Sequence, residues 1–145
     1  MKVVADENIP YVREAFETFG EVVTLPGRKM TNADLAGADI LLVRSITKVN
    51  AALLEGTPVK FVATATIGVD HIDQNYLRAC DIGFSSAPGC NANSVAEYIT
   101  AALFHLAQKH GLQLDKMSLG IVGVGNVGKK VAAKARALGL RVVLN

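Results

Sequence analysis

Half of the 145 residues are hydrophobic and 19% are charged, enough apolar surface to bury a packed core, which excludes a disordered segment. The 15 basic and 13 acidic residues leave a net charge of +2 spread along the chain, which gives no case for a nucleic-acid or membrane partner. No apolar run reaches the ~18 residues of a membrane span. The two cysteines, Cys80 and Cys90, supply neither a disulfide framework nor metal-ligand spacing, so the sequence reads as cytoplasmic, reduced and without a metal site.

From the N-terminus, Lys2 to Ala5 is a short β-branched strand, and the acidic turn Asp6 to Pro10 leads into a helix carrying Val12, Ala15, Phe16 and Phe19 at helical spacing. Asp6 and Glu7 need no more than cap and solvent-facing roles. Val22 to Leu25 is the second strand, broken by Pro26-Gly27. Thr31 and Asp34 have capping-box spacing and predict about two helical turns ending near Gly37. The unbroken aliphatic run Ile40 to Val43 suits a parallel strand covered on both faces. A helix over Val49 to Glu55, a strand from Phe61 to Ala65, a helix from Asp73 to Cys80 and a strand from Gly83 to Ser86 follow. This alternation predicts an α/β domain with a flavodoxin-like, doubly wound parallel sheet. Ligands of such sheets bind beyond the carboxyl ends of the strands, which singles out the loops Arg44–Lys48 and Thr66–His71.

Proline and glycine in Ala87 to Asn93 mark a linker. The domains are therefore read as 1–93 and 94–145. A long helix opens with Ser94 and Glu97 as a second capping box and runs to about His110. The apolar run from Leu119 then breaks into Gly123-x-Gly125-x-x-Gly128, followed by an alanine-rich helix stopped at Gly139 and a strand from Arg141 to Leu144. In a strand-helix-strand unit these glycines turn the chain, admit a pyrophosphate to the backbone and let helix pack on strand. The start of a Rossmann dinucleotide-binding domain is thus expected, with Gly123, Gly125, Asn126, Val127 and Gly128 around the diphosphate. The acidic residue that reads the adenosine ribose usually lies about 20 residues past the loop. It is expected beyond Asn145, as though the chain stopped inside this domain, and the choice between NAD and NADP stays open.

With these motifs in order, the chain resembles the NAD-dependent D-2-hydroxyacid dehydrogenases over its whole length. Thr66-Ile67-Gly68-Val69-Asp70-His71-Ile72-Asp73, Asn91-x-x-x-Val95-Ala96-Glu97 and the Gly123 loop carry the likeness. Asp6 to Pro10, Val43 to Val49, Ala63 to Thr66 and Ala87 to Ala92 narrow it to a branch acting on a small phosphorylated 2-hydroxy acid. The resemblance implies oxidation of a 2-hydroxyl with hydride passing to NAD, and a homodimer in the complete enzyme. It also implies substrate contacts at Ser45, Thr66 and the backbone at Gly68, with a catalytic histidine, acid and arginine outside these residues. Arg44 is added as an anion partner because guanidinium pairs with carboxylate and phosphate in a fork.

His71 lies in the candidate loop beside Asp70 but is read as orienting that loop, not as the base. His105 and His110 are read as structural, Cys90 as filling a turn, and Lys129 and Lys130 as a solvated helix face. A sibling dehydrogenase acting on 3-phosphoglycerate, or a non-catalytic NAD-binding regulator on the same scaffold, stays open beside the main reading.

Overall fold

The computed structural model describes residues 1–145 and divides into two compact units, Met1–Pro88 and Gly89–Asn145. The division falls inside the predicted linker, five residues before the expected boundary.

The first unit is a five-stranded sheet built from β1 (Lys2–Asp6), β2 (Glu21–Leu25), β3 (Ile40–Val43), β4 (Phe61–Thr64) and β5 (Gly83–Ser85). All pairings are parallel and the order is β2-β1-β3-β4-β5, the flavodoxin-like arrangement. Side chains alternate between the faces of a strand, and both faces are covered here. Val4, Leu41, Val43 and Val62 belong to one buried cluster with Leu35, Leu53 and Leu77, while Val3, Ala5 and Leu42 belong to another with Val12. Polar residues in the central strands are confined to the strand ends, Lys2, Asp6 and Thr64, which is why the stretches between them read as continuous aliphatic runs.

The connecting helices are shorter than their sequence patterns suggest. The first, α1 (Val12–Phe16), stops before Phe19, which is left exposed. The two turns expected after Thr31 contract to one 3₁₀ turn, Asn32–Leu35, in which the Asp34 carboxylate accepts from Thr31 N at 2.8 Å and Thr31 Oγ1 at 2.7 Å. The helix expected from Val49 begins at Ala51 as α2 (Ala51–Leu54), capped by the Asn50 side chain. Val49 instead forms a parallel bridge to Ile72, with Val49 N donating to His71 O at 2.8 Å and Asp73 N to Val49 O at 2.8 Å. In this way the loop after β3 is stitched to the loop after β4. Asp73 caps α3 (Gln74–Ala79) through Tyr76 N.

In the second unit α4 (Ala92–His110) packs on α5 (Asn126–Ala137), and the parallel strands β6 (Ser118–Ile121) and β7 (Arg141–Leu144) flank α5 in sequence. The second capping box is not formed. The helix starts before Ser94, and the Glu97 carboxylate accepts from Asn93 Nδ2 at 2.6 Å and lies 3.9 Å from Lys134 Nζ on α5. Ser94 is thus inside the helix, where its hydroxyl has no terminal N–H to cap.

Candidate functional site

The register of the first sheet sets the candidate loops side by side. Val43 pairs with Thr64 at the ends of β3 and β4, and Ala65 N donates to Val43 O at 2.9 Å, so the chains leave the sheet level with each other. Between them lies a cleft of about 380 Å³ lined by Ser45, Ile46, Lys48, Gly68, Asp70 and His71. It opens beyond the carboxyl ends of the strands, where a parallel α/β sheet presents loop residues to a ligand. Ser45 and Gly68, both expected to meet substrate, are brought together in it. Arg44 and Thr66 are half-buried in the same two loops and do not line it. Lys48 is the cation that does, and its ammonium forms no ion pair.

Thr66 is held by its neighbours. Its Oγ1 is 2.8 Å from Thr64 Oγ1, which in turn is 3.0 Å from His71 Nε2. Burial lowers the pKa of His71 below the ordinary histidine value, a shift partly opposed by the charge of Asp70. The ring is therefore neutral at physiological pH. Thr64, part of the Ala63 to Thr66 stretch, is not among the site residues expected from the sequence. The available signal was its spacing of two from Thr66, which puts both hydroxyls on one side of an extended chain.

The loop carrying Ser45 is anchored from below. Thr47 is buried, and its hydroxyl donates to Gly27 O at 3.0 Å. A side chain at Gly27 would strike Asp6 Oδ2 and lie 2.7 Å from Thr47 Oγ1. Asp6 is not solvent-facing as expected but fully buried, with Oδ1 accepting from Asn8 N at 2.8 Å and Oδ2 without a partner. Glu7 is exposed.

In the second unit the three motif glycines occupy different environments. Gly123 has φ +89°, a left-handed turn open to glycine and strained for other residues. A Cβ at Gly128 would strike the Gly123 carbonyl oxygen and lie 3.1 Å from its carbon, so the helix sits directly on the turn. A Cβ at Gly125 would meet nothing within 4 Å. Asn126 and Val127 open α5 and Lys129 N makes its first return bond, to Gly125 O at 3.0 Å. The preceding N–H groups have no partner within the helix and, with the positive end of its dipole, suit an anion. The space beside Gly125 thus fits a diphosphate, which needs close backbone approach and open room. Gly123, Val127 and Gly128 also border an aliphatic hollow of about 350 Å³ with Ile99, Leu119 and Val131. A diphosphate would be stripped of solvent there without compensation, so the hollow is not the anion site.

Residues 2–140 match the family model described as D-isomer specific 2-hydroxyacid dehydrogenase, catalytic domain. The chain belongs to the D-isomer specific 2-hydroxyacid dehydrogenases. It is 52% identical over 144 residues to the erythronate-4-phosphate dehydrogenase of Escherichia coli O157:H7 (strain EC4115 / EHEC), covering 99% of this chain and 38% of that relative. Among solved structures it is similar to the TT0316 protein of Thermus thermophilus, with TM-score 0.83 and 25% identity over 99% of this chain and 55% of that one. It is also similar to the NAD+-bound 3-phosphoglycerate dehydrogenase of Entamoeba histolytica, with TM-score 0.78 and 29% identity over 100% of this chain and 53% of that one. The chain thus spans under two-fifths of the length of the curated dehydrogenase it matches. No helix is long and apolar enough to cross a membrane.

Proposed function

We propose that this dehydrogenase chain serves the NAD-dependent oxidation of 4-phospho-D-erythronate at its 2-hydroxyl to 2-oxo-3-hydroxy-4-phosphobutanoate, in pyridoxal 5'-phosphate biosynthesis. The observation that carries the substrate class is the likeness to the erythronate-4-phosphate dehydrogenases. The site is supported by the cleft that joins Ser45, Lys48 and Gly68.

In this reading residues 1–93 form the substrate-binding part, and residues 94–145 the interdomain helix and first strand-helix-strand unit of the nucleotide-binding part. Ser45 and Thr66 hydroxyls and backbone N–H groups near Gly68 hold the anionic substrate, and Arg44 is recruited to its charge. Gly123, Gly125, Asn126, Val127 and Gly128 grip the pyrophosphate of NAD, which when bound supplies the hydride acceptor. Proton transfer falls to residues outside this chain, and the 145-residue polypeptide alone is expected to show no turnover. The complete enzyme is a cytoplasmic homodimer with no nucleic-acid or membrane partner.

Turnover of 4-phospho-D-erythronate and of 3-phosphoglycerate by the full-length protein, each with NAD, tests the reading. A higher kcat/KM for phosphoerythronate is expected. Preference for phosphoglycerate would move the chain to its sibling activity, and NAD binding without turnover of either acid would make it a regulator.

A further inference from the structure

Thr66 ends a row of three polar groups whose protons are interdependent. Thr64 Oγ1 lies between Thr66 Oγ1 at 2.8 Å and His71 Nε2 at 3.0 Å, and Thr66 Oγ1 can reach on to Gly68 O at 3.4 Å. Thr64 is only 3% exposed, so water does not compete for its hydroxyl. That hydroxyl has one proton and can donate in one direction only.

The two neutral forms of the imidazole therefore give two different sites. With hydrogen on Nε2, His71 donates to Thr64, Thr64 donates to Thr66, and the Thr66 proton is left for the Gly68 carbonyl or a ligand. With hydrogen on Nδ1, Nε2 accepts from Thr64, Thr64 accepts from Thr66, and Thr66 turns bare lone pairs outward. An anionic ligand is bound by the first arrangement and repelled by the second.

We propose that His71 is a positioning residue which, through Thr64, directs the Thr66 hydroxyl proton toward the anionic substrate. The proposal rests on the substrate site assigned above and extends it to Thr64, which is buried and outside the cleft lining, and to His71, which lines the cleft and acts on Thr66 through Thr64. The charged groups facing the ring are Asp70 beside it, Lys48 across the cleft, and Asp73, which shares with Lys48 and His71 an adjoining hollow of about 290 Å³. Burial keeps the ring neutral near pH 7, so the tautomer and not the charge carries the effect there. Protonation at lower pH puts hydrogen on both nitrogens and preserves the donating direction.

The test uses the full-length protein and the variants His71→Leu, His71→Gln, Thr64→Val and the double variant His71→Leu with Thr64→Val. Loss of a hydrogen bond to a charged ligand is worth about 10-fold in binding. Each variant leaves the Thr66 hydroxyl in place but undirected, so His71→Leu and Thr64→Val should each raise KM for 4-phosphoerythronate by several-fold, up to about that factor, with kcat little changed. The double variant should be no worse than either single one, because both break one chain. His71→Gln, which can present an amide N–H in place of Nε2, should recover most of the loss. The ¹⁵N spectrum of the imidazole should show hydrogen on Nε2 in the parent and a redistributed tautomer in Thr64→Val. Additive KM effects, or an Nδ1–H ring in the parent, would overturn the proposal. If the parent turns over no 2-hydroxy acid, the functional reading fails, whereas the imidazole spectrum still decides the relay. If His71→Leu does not fold, Thr64→Val and His71→Gln carry the comparison.

Discussion

Replacing Gly128 by alanine sets two opposing effects against each other. Alanine is favoured over glycine inside a helix by about 1 kcal/mol, and position 128 lies within the first turn of α5. Against this, the new Cβ strikes the Gly123 carbonyl oxygen and lies 3.1 Å from its carbon and 3.4 Å from Ile121 Cγ2. The oxygen belongs to the backbone of a turn tied to the residue after β7 by Gly123 N donating to Asn145 O at 2.9 Å, so it cannot swing aside as a side chain would. Overpacking of this kind costs about 1–3 kcal/mol, occasionally more. Because the atom struck is backbone, the cost falls in the upper part of that range, about 2–3 kcal/mol, and the net loss should be about 1–2 kcal/mol. Gly125→Ala is the control. Its Cβ meets no atom within 4 Å and its φ of −80° is open to alanine, so stability should stay within about 0.5 kcal/mol. Yet the methyl occupies the side where a pyrophosphate would approach, and NAD affinity should fall by about 10-fold or more. Thermal unfolding without nucleotide and calorimetric titration with NAD separate the two. A Gly128→Ala protein as stable as the parent, or a Gly125→Ala protein that binds NAD normally, would refute the division of roles between these glycines.

Four further outcomes follow from the same geometry. The pKa of His71 is lowered on folding, so the unfolded chain binds more protons in the window below the ordinary value of about 6.5. Its contribution to stability is complete above that value and is lost as pH falls through the folded pKa; urea titrations between about pH 7 and 5 should show a decline that His71→Gln flattens. Gly27→Ala should destabilise the first unit by about 1–3 kcal/mol through Asp6 and Thr47, and raise KM by loosening the Ser45 loop, which unfolding and steady-state assays would read. Asp34→Asn should lower Tm at neutral pH, and the difference should vanish in acid, because Thr31 holds the folded carboxylate below its ordinary pKa. Leu41→Ala, at a fully buried position in the central sheet, should cost about 2–5 kcal/mol in urea unfolding.

Features that depend on neighbours along the chain could be read from the residues alone. Aliphatic runs such as Ile40 to Val43 declare strands buried on both faces, and the spacing of Gly123, Gly125 and Gly128 declares a turn, an opening and a helix contact, since each role is local to a few residues. Helix ends were less legible: Ser94 and Glu97 have capping-box spacing, but the helix begins at Ala92 and draws Glu97 into bonds with Asn93 and Lys134. The folded arrangement was needed to establish that Gly27 supports Thr47, that Asp6 is buried, and that Lys48 lines the cleft whereas Arg44 does not. It also placed His71 against Thr64, because the loop after β4 folds back onto its own strand end while Val49 clamps it from the loop after β3. Such contacts depend on strand register and on loops meeting in space, and neither composition nor periodicity along the chain encodes which side chains the register sets face to face.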